Sequence, residues 1–160
     1  MKLLALLILT FPALGLAQGP ENDRIKGERL FSLKVRGILE SKCFPCHGGA
    51  KKVKGDLDVT TRAGLLKGGE TAYEVLVPFK PDKSTLVTAI EWADEDYEMP
   101  PKESDRLSVE QITRVKEWIR LGAPWPSREK QKKYREAERK TELTEDGQLV
   151  KTSGGQSEDW

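Results

Sequence analysis

CFPCH, at residues 43–47, is the most informative segment of this 160-residue chain. Cys-x-x-Cys-His is the attachment signature of a c-type haem. Two thiols separated by two residues can each form a thioether with one vinyl group of the same porphyrin, and the histidine that follows then lies under the iron as its proximal ligand. Cys43 and Cys46 are the only two cysteines, and His47 is the only histidine. The motif therefore predicts one covalently attached haem c.

Three other kinds of site contain two cysteines at this spacing. A redox dithiol is expected in a βαβ neighbourhood, and no strand-helix-strand alternation surrounds the motif. A structural zinc ion needs four ligands, whereas the motif supplies three at most and the chain has no further cysteine or histidine. A disulfide between Cys43 and Cys46 remains an alternative, although it would close a very small loop and stabilise little. The motif favours haem attachment over all three.

Residues 1–17, MKLLALLILTFPALGLA, have the features of a secretory signal peptide. Lys2 precedes an apolar stretch that extends to about Leu16, and small residues precede an expected cleavage site at Gln18. The apolar run is short for a membrane span and Pro12 interrupts it. We therefore expect no transmembrane span after cleavage, with an uncleaved N-terminal anchor as the alternative. Because haem c is assembled outside the bacterial cytoplasm, both features predict a periplasmic or otherwise extracytoplasmic protein.

The charge balance argues against a nucleic-acid-binding protein. The chain has 27 Lys and Arg against 26 Asp and Glu, and loss of Lys2 with the signal peptide would leave 26 of each. Nucleic-acid-binding domains normally show a basic excess. The sequence also contains no Ser-His-Asp set, metal-binding carboxylate cluster or nucleotide-binding glycine fingerprint. We therefore expect no catalytic residues.

Apolar residues at helical spacing predict four helices. The predicted helices cover residues 24–41, 61–67, 85–92 and 108–122. Ser84 is the expected N-cap of the third helix, and Ser108 begins a capping box at the start of the fourth. In the fourth helix we expect Trp118 at the edge of the buried face. The first helix leads directly into the CFPCH motif.

From residue 127 onward the chain changes character. It carries eight basic and eight acidic residues with only scattered apolar positions, and so cannot bury enough apolar surface to offset its ordering entropy. The sequence thus predicts a folded domain over residues 22–126 and a charged, mostly disordered linker or tail over residues 127–160. Within that tail, residues 128–140 are compatible with a solvated helix.

Met99 is the candidate for the second axial ligand of the iron. Methionine is the usual partner of histidine in electron-carrying cytochromes c, and Met1, the other methionine, leaves with the signal peptide. Met99 lies between an acidic run and the stiff pair Pro100 and Pro101, outside any amphipathic stripe. The alternatives are a core-filling methionine, an open sixth position or another ligand.

Five stretches of the chain resemble the planctomycete-type cytochrome c domain. They are CFPCHG at 43–48, LDVTTRAGLLKGGE at 57–70, LVPFKPDKSTLVTAI at 76–90, MPP at 99–101 and RLSVEQITRVKEWIRLGAPWP at 106–126. The resemblance implies an all-α fold, in which a small cytochrome c-like helical domain wraps around one covalent haem and its first and last helices pack together. One departure is Phe79, which stands where the family commonly has glycine, so we expect a different backbone there.

The same resemblance implies a role for each residue of the site. Cys43 and Cys46 would be the thioether sites of haem c, His47 the proximal ligand and Met99 the distal ligand of the iron. From apolar pattern alone, we expect the haem pocket to draw on Leu57, Leu65, Leu66, Leu76, Leu86, Ile90 and Trp92.

The sequence therefore predicts an exported monohaem c-type cytochrome that carries single electrons between unidentified redox partner proteins. One alternative is a haem-containing sensor or interaction module, or the N-terminal part of a larger multidomain protein. Another is a peroxidase-like enzyme, which would need an open sixth position on the iron. Charge also clusters along the chain, with Lys42, Lys51, Lys52 and Lys54 around the motif and Glu91, Asp94, Glu95, Asp96 and Glu98 before Met99. This asymmetry predicts either a lysine-bearing docking face for a redox partner or merely solvated loops.

Overall fold

A computed structural model describes residues 20–48, 53–70 and 74–141. Throughout these ranges the chain forms helices and connecting loops, without β-strands, so the all-α prediction is confirmed. None of the helices in the described part of the chain is both long and apolar enough to cross a membrane. The predicted signal peptide and residues 142–160 lie outside the described residues.

The CFPCH motif forms the last turn of a long helical segment, α1, that spans residues 20–47. Within α1, α-helix covers Pro20–Leu30, Arg36–Ile38 and Phe44–His47, and wider π-helical turns cover Phe31–Val35 and Leu39–Cys43. The helix is longer at both ends than the sequence predicts. Pro45 lies at the start of the α-helical turn Phe44–His47, directly after the second π-helical turn, so its missing N–H falls at the junction of the two. The motif is thus held by a helix and not by a loop.

Four further α-helices follow, α2 to α5. The bounds of α2, α3 and α4 are close to those predicted from the sequence. They are α2 at Arg62–Lys67, α3 at Thr85–Glu91, α4 at Val109–Arg120 and α5 at Arg128–Thr141. Thr61 caps α2 by accepting a hydrogen bond from the amide of Gly64 at 2.9 Å. Ser108 and Gln111 form the predicted capping box of α4, with distances of 3.2 and 3.0 Å.

Ser84 does not cap α3, contrary to the prediction. Its hydroxyl oxygen accepts a hydrogen bond from the amide of Val77 at 2.9 Å and donates one to the carbonyl of Lys80 at 3.0 Å. Ser84 is buried, and these backbone groups compete successfully with the helix end for its hydroxyl. The serine therefore fixes the turn that precedes α3.

An aromatic cluster joins α1 to α4, which pack against each other as predicted. The ring of Phe31 lies 5.6 Å from that of Trp118 and 4.3 Å from that of Trp125, measured between centroids. Trp118 is completely buried, and not at the edge of the core as the sequence predicts. The segment after α4 folds back over it, so that the indole Nε1 donates a hydrogen bond to the carbonyl of Pro124 at 2.8 Å.

Helix α5 packs on α1, and the prediction of a charged tail from residue 127 needs correcting for residues 128–141. Gln131 is buried and donates through Nε2 to the carbonyl of Pro126 at 2.8 Å. The buried carboxylate of Glu28 accepts from the hydroxyl of Tyr134 at 3.0 Å and pairs with Lys130 at 2.5 Å. Polar contacts, and not an apolar face, hold α5 against α1. Because its sequence shows only a weak apolar pattern, it resembles that of a solvated segment.

Phe79 has a backbone conformation that normally requires glycine. Its φ is +69°, in the left-handed region, and its amide donates to the carbonyl of Ile119 at 2.8 Å. The exposed ring lies over Gly122, where a Cβ atom would come within 2.6 Å of the ring. The structure combines a left-handed conformation with a phenylalanine side chain. The predicted difference from the family's backbone stays a prediction.

The packing of α5 predicts a stability difference between two neighbouring substitutions. Gln131→Ala would leave the buried carbonyl of Pro126 without a donor, so we expect the free energy of unfolding to fall by about 1–3 kcal/mol. Lys133→Ala, on the exposed face of the same helix, should change it by less than about 0.5 kcal/mol. Denaturant unfolding of both variants measures the difference, and equal stabilities would contradict the packing of α5.

The left-handed conformation of residue 79 predicts an inverted order of glycine and alanine. Phe79→Gly should be more stable than Phe79→Ala by about 1 kcal/mol, because only alanine pays for a positive φ. Both variants remove the ring, so its contacts cancel in the comparison. At Lys133, within α5, the order should be the usual one, with glycine less stable than alanine by about 0.5–1 kcal/mol. If alanine is the more stable residue at both positions, the positive φ at residue 79 is refuted.

Candidate functional site

An open cleft of about 310 Å³ lies beside the C-terminal end of α1. Its walls come from that helix end, the segment around residues 54–59, helix α3 and the loop that follows α3. Cys43, Cys46, His47 and Met99, the four site residues predicted from the sequence, all line it. The cleft thus brings together residues separated by more than fifty positions in the chain.

The imidazole of His47 is oriented by a backbone carbonyl. Its Nδ1 lies 3.1 Å from the carbonyl oxygen of Lys54. Because a carbonyl can only accept, Nδ1 is the donor, and in the neutral imidazole this tautomer places the lone pair on Nε2, where a metal could bind. The carbonyl of His47 in turn accepts from the amide of Val59 at 2.9 Å, which ties the wall of the cleft to the end of α1.

Cys43 and Cys46 are both free thiols and partly buried. Burial, with a smaller contribution from Cys46, raises the pKa of the Cys43 thiol to about 12. At neutral pH Cys43 is therefore protonated, whereas a redox-active dithiol needs a lowered pKa. In the described part of the chain, no three His, Cys, Asp or Glu side chains are grouped to hold a metal ion, so the zinc alternative finds no support.

Met99 reaches the cleft through a loop anchored on α3. The carbonyl of Ala89 accepts hydrogen bonds from the amides of Trp92 at 3.3 Å and Met99 at 3.0 Å. Trp92 ends α3 in a left-handed conformation, so that the loop turns back beside the helix. The side chain of Met99 is 39% exposed, and it is therefore not a filler of the buried core.

The apolar wall of the cleft agrees only partly with the prediction. Leu57, Leu86 and Ile90 line it as expected, but Leu65 and Leu76 belong to the buried core and Leu66 is exposed. Trp92 instead packs its ring against the guanidinium of Arg106, 4.2 Å from the ring centroid. Lining residues not predicted from the sequence are Val59, Val75, Ala89 and Tyr97. Val59, Val75 and Tyr97 lie outside the α-helices, where single apolar residues carry no periodic signal that would reveal them.

The donor set and the walls fit a c-type haem. Two free thiols lie about one turn apart, the imidazole of the histidine is held by a backbone carbonyl, and a thioether sulfur lines the same apolar cleft.

Comparison with known proteins agrees with this assignment. Residues 43–103 match the family model of planctomycete cytochrome C, which begins at the first cysteine of the motif and includes Met99. Searches of the curated proteins and of the solved structures gave no significant match. The resemblance noted in the sequence is thereby confirmed over residues 43–103, which are similar to the planctomycete cytochrome c domain.

Proposed function

We propose that the protein is an exported monohaem c-type cytochrome that carries single electrons between extracytoplasmic redox partners. A cytochrome c domain implies haem as the cofactor and electron transfer as the function. The observation that carries the proposal is the presence of Cys43, Cys46, His47 and Met99 in one cleft. When bound, haem supplies reversible one-electron chemistry at its iron.

Cys43 and Cys46 would hold the haem through two thioethers, and His47 would bind the iron through Nε2. The hydrogen bond from Nδ1 to the carbonyl of Lys54 favours this role, because it fixes the tautomer and the ring plane. An imidazole already held in place need not be ordered when the iron changes charge. The chain has no further cysteine or histidine, which supports a single haem.

Met99 would be the distal ligand. Its soft thioether favours the ferrous state and raises the reduction potential. The hydrogen bond from its own amide to Ala89 restrains the backbone that presents the sulfur. Ligation by both His47 and Met99 would leave no coordination site for a substrate, and the protein would then be a carrier and not an enzyme.

The apolar walls of the cleft would also raise the reduction potential of the haem. Leu57, Val59, Leu86 and Ile90 exclude water from one face of the site. Low polarity disfavours the additional positive charge of the ferric state. The sequence of residues 1–17 supports export, and members of this domain class are typically extracytoplasmic.

Covalent attachment is tested by the intact mass of protein exported from a host with haem c maturation machinery. We expect the mass to exceed that of the mature chain by one haem, and a pyridine haemochrome spectrum of the c type. Cys43→Ser/Cys46→Ser, which cannot form thioethers, should give the mass of the bare polypeptide. A bare polypeptide mass for the unmodified chain would contradict the proposal.

The role of Met99 is tested by a substitution that keeps its volume and removes its sulfur. Met99→Leu should retain covalent haem, lower the midpoint potential by more than 100 mV, on the order expected for loss of a thioether ligand, and open the iron to added imidazole or carbon monoxide. Ile90→Val keeps an apolar side chain in the wall and removes no candidate ligand, so it should leave the spectrum unchanged and shift the potential far less than Met99→Leu does. An unchanged Met99→Leu spectrum would remove this residue from the iron. An iron that is five-coordinate in the unmodified protein would favour the sensor or peroxidase alternatives.

A further inference from the structure

Helix α5 concentrates positive charge on the side that faces solvent. It contains seven Lys and Arg against three Glu, whereas the whole chain has 27 against 26, so acidic residues outnumber basic ones outside α5. Six of its seven basic side chains are exposed. We name these six residues the basic face, and they are Arg128, Lys132, Lys133, Arg135, Arg139 and Lys140.

The packing of α5 on α1 turns the basic face outward. Gln131 is buried, and Tyr134 donates a hydrogen bond to the buried carboxylate of Glu28, so the side of the helix that carries these two residues lies against α1. Four members of the basic face follow one another at intervals of four, three and four residues, which places them in one row along the helix. This row consists of Arg128, Lys132, Arg135 and Arg139.

The carboxylates of α5 leave most of this charge uncompensated. Glu138 pairs with Arg29 of α1, so its charge is engaged between the two helices. Glu136 lies 3.8 Å from the ammonium group of Lys132, and Glu129 is exposed. Apart from Lys132, no residue of the basic face forms an ion pair within the described part of the chain. Their charged groups are therefore available to anions from outside the chain.

The composition of the basic face favours a layer of anionic headgroups over a protein partner. Specific protein interfaces have apolar or aromatic anchors at their centre. None of the exposed large hydrophobic side chains of the described residues lies in α5. A phospholipid surface attracts Lys and Arg by charge alone. A helix of 14 residues is about 21 Å long, enough to contact several headgroups at once.

We propose that the basic face of α5 binds the surface of an anionic phospholipid membrane and holds the protein there peripherally. The attraction is electrostatic, so it acts within about a Debye length of the headgroups and weakens as salt is added. No residue of the basic face lines the cleft. The proposal therefore goes beyond the electron-carrier function and does not depend on the state of the haem site.

The test compares two triple variants of the exported holoprotein. Both lose three positive charges, from the basic face in one variant and from exposed lysines outside α5 in the other. They are Arg128→Gln/Lys132→Gln/Arg139→Gln and the control Lys80→Gln/Lys83→Gln/Lys102→Gln. Co-sedimentation measures binding to vesicles of phosphatidylcholine and phosphatidylglycerol, mixed two to one, and to vesicles of phosphatidylcholine alone, over a salt series. Gel filtration with poly-L-glutamate in the same buffers provides the probe for an acidic protein.

We expect the unmodified protein and the control variant to bind the mixed vesicles at low salt, to leave them as salt rises, and not to bind phosphatidylcholine alone. The basic-face variant should bind the mixed vesicles roughly tenfold or more weakly, because each Lys or Arg near such a surface strengthens binding about fivefold. Equal losses in the two triple variants would overturn the proposal. Binding that is the same on both vesicle types and insensitive to salt would also overturn it, because it would show apolar insertion.

A charge-conserving variant separates electrostatic binding from a structural role of the arginines. Arg128→Lys/Arg139→Lys keeps both positive charges and should bind the mixed vesicles as tightly as the unmodified protein does. Loss of binding in this variant would contradict an attraction that depends on charge alone. Binding to poly-L-glutamate without binding to the mixed vesicles would assign the basic face to an acidic protein and overturn the membrane proposal.

Discussion

The contact of Phe31 with Trp118 and Trp125 fixes the position of α1 against α4. It therefore also fixes the position of the C-terminal end of α1, which carries the cysteines. These three rings bind α1 to α4 and to the segment after it. The burial of each of these aromatic side chains contributes on the order of 2 kcal/mol to the free energy of unfolding. The motif occupies the last turn of the same helix. The packing of these aromatic rings in the core thus holds the CFPCH motif at the cleft.

The sequence predicts those features that depend on local chemistry. The CFPCH motif and the capping box at Ser108 each depend on side chains a few residues apart, and both are found in the structure. The sequence does not predict which of several backbone groups a side chain selects as its hydrogen-bond partner. Ser84 turns to the backbone of Val77 and Lys80, a choice that no local pattern reveals.

The same distinction applies to the site. The four residues of the cleft are chemically distinctive, so their types and spacing suffice to select them. The groups that hold them are not distinctive, since the carbonyls of Lys54 and Ala89 orient His47 and Met99. Every residue has a carbonyl, and only the fold decides which one faces the ligand. The packing of α5 on α1 is missed for a related reason, because polar contacts around Glu28 and Gln131 replace the apolar stripe that would have revealed it.

The packing of α5 also has a geometric consequence for the rest of the chain. A helix of 14 residues is about 21 Å long, and its contacts with Glu28 and Pro126 fix its direction on the surface of α1. The C-terminal end of α5 is therefore held at a fixed position relative to the end of α4.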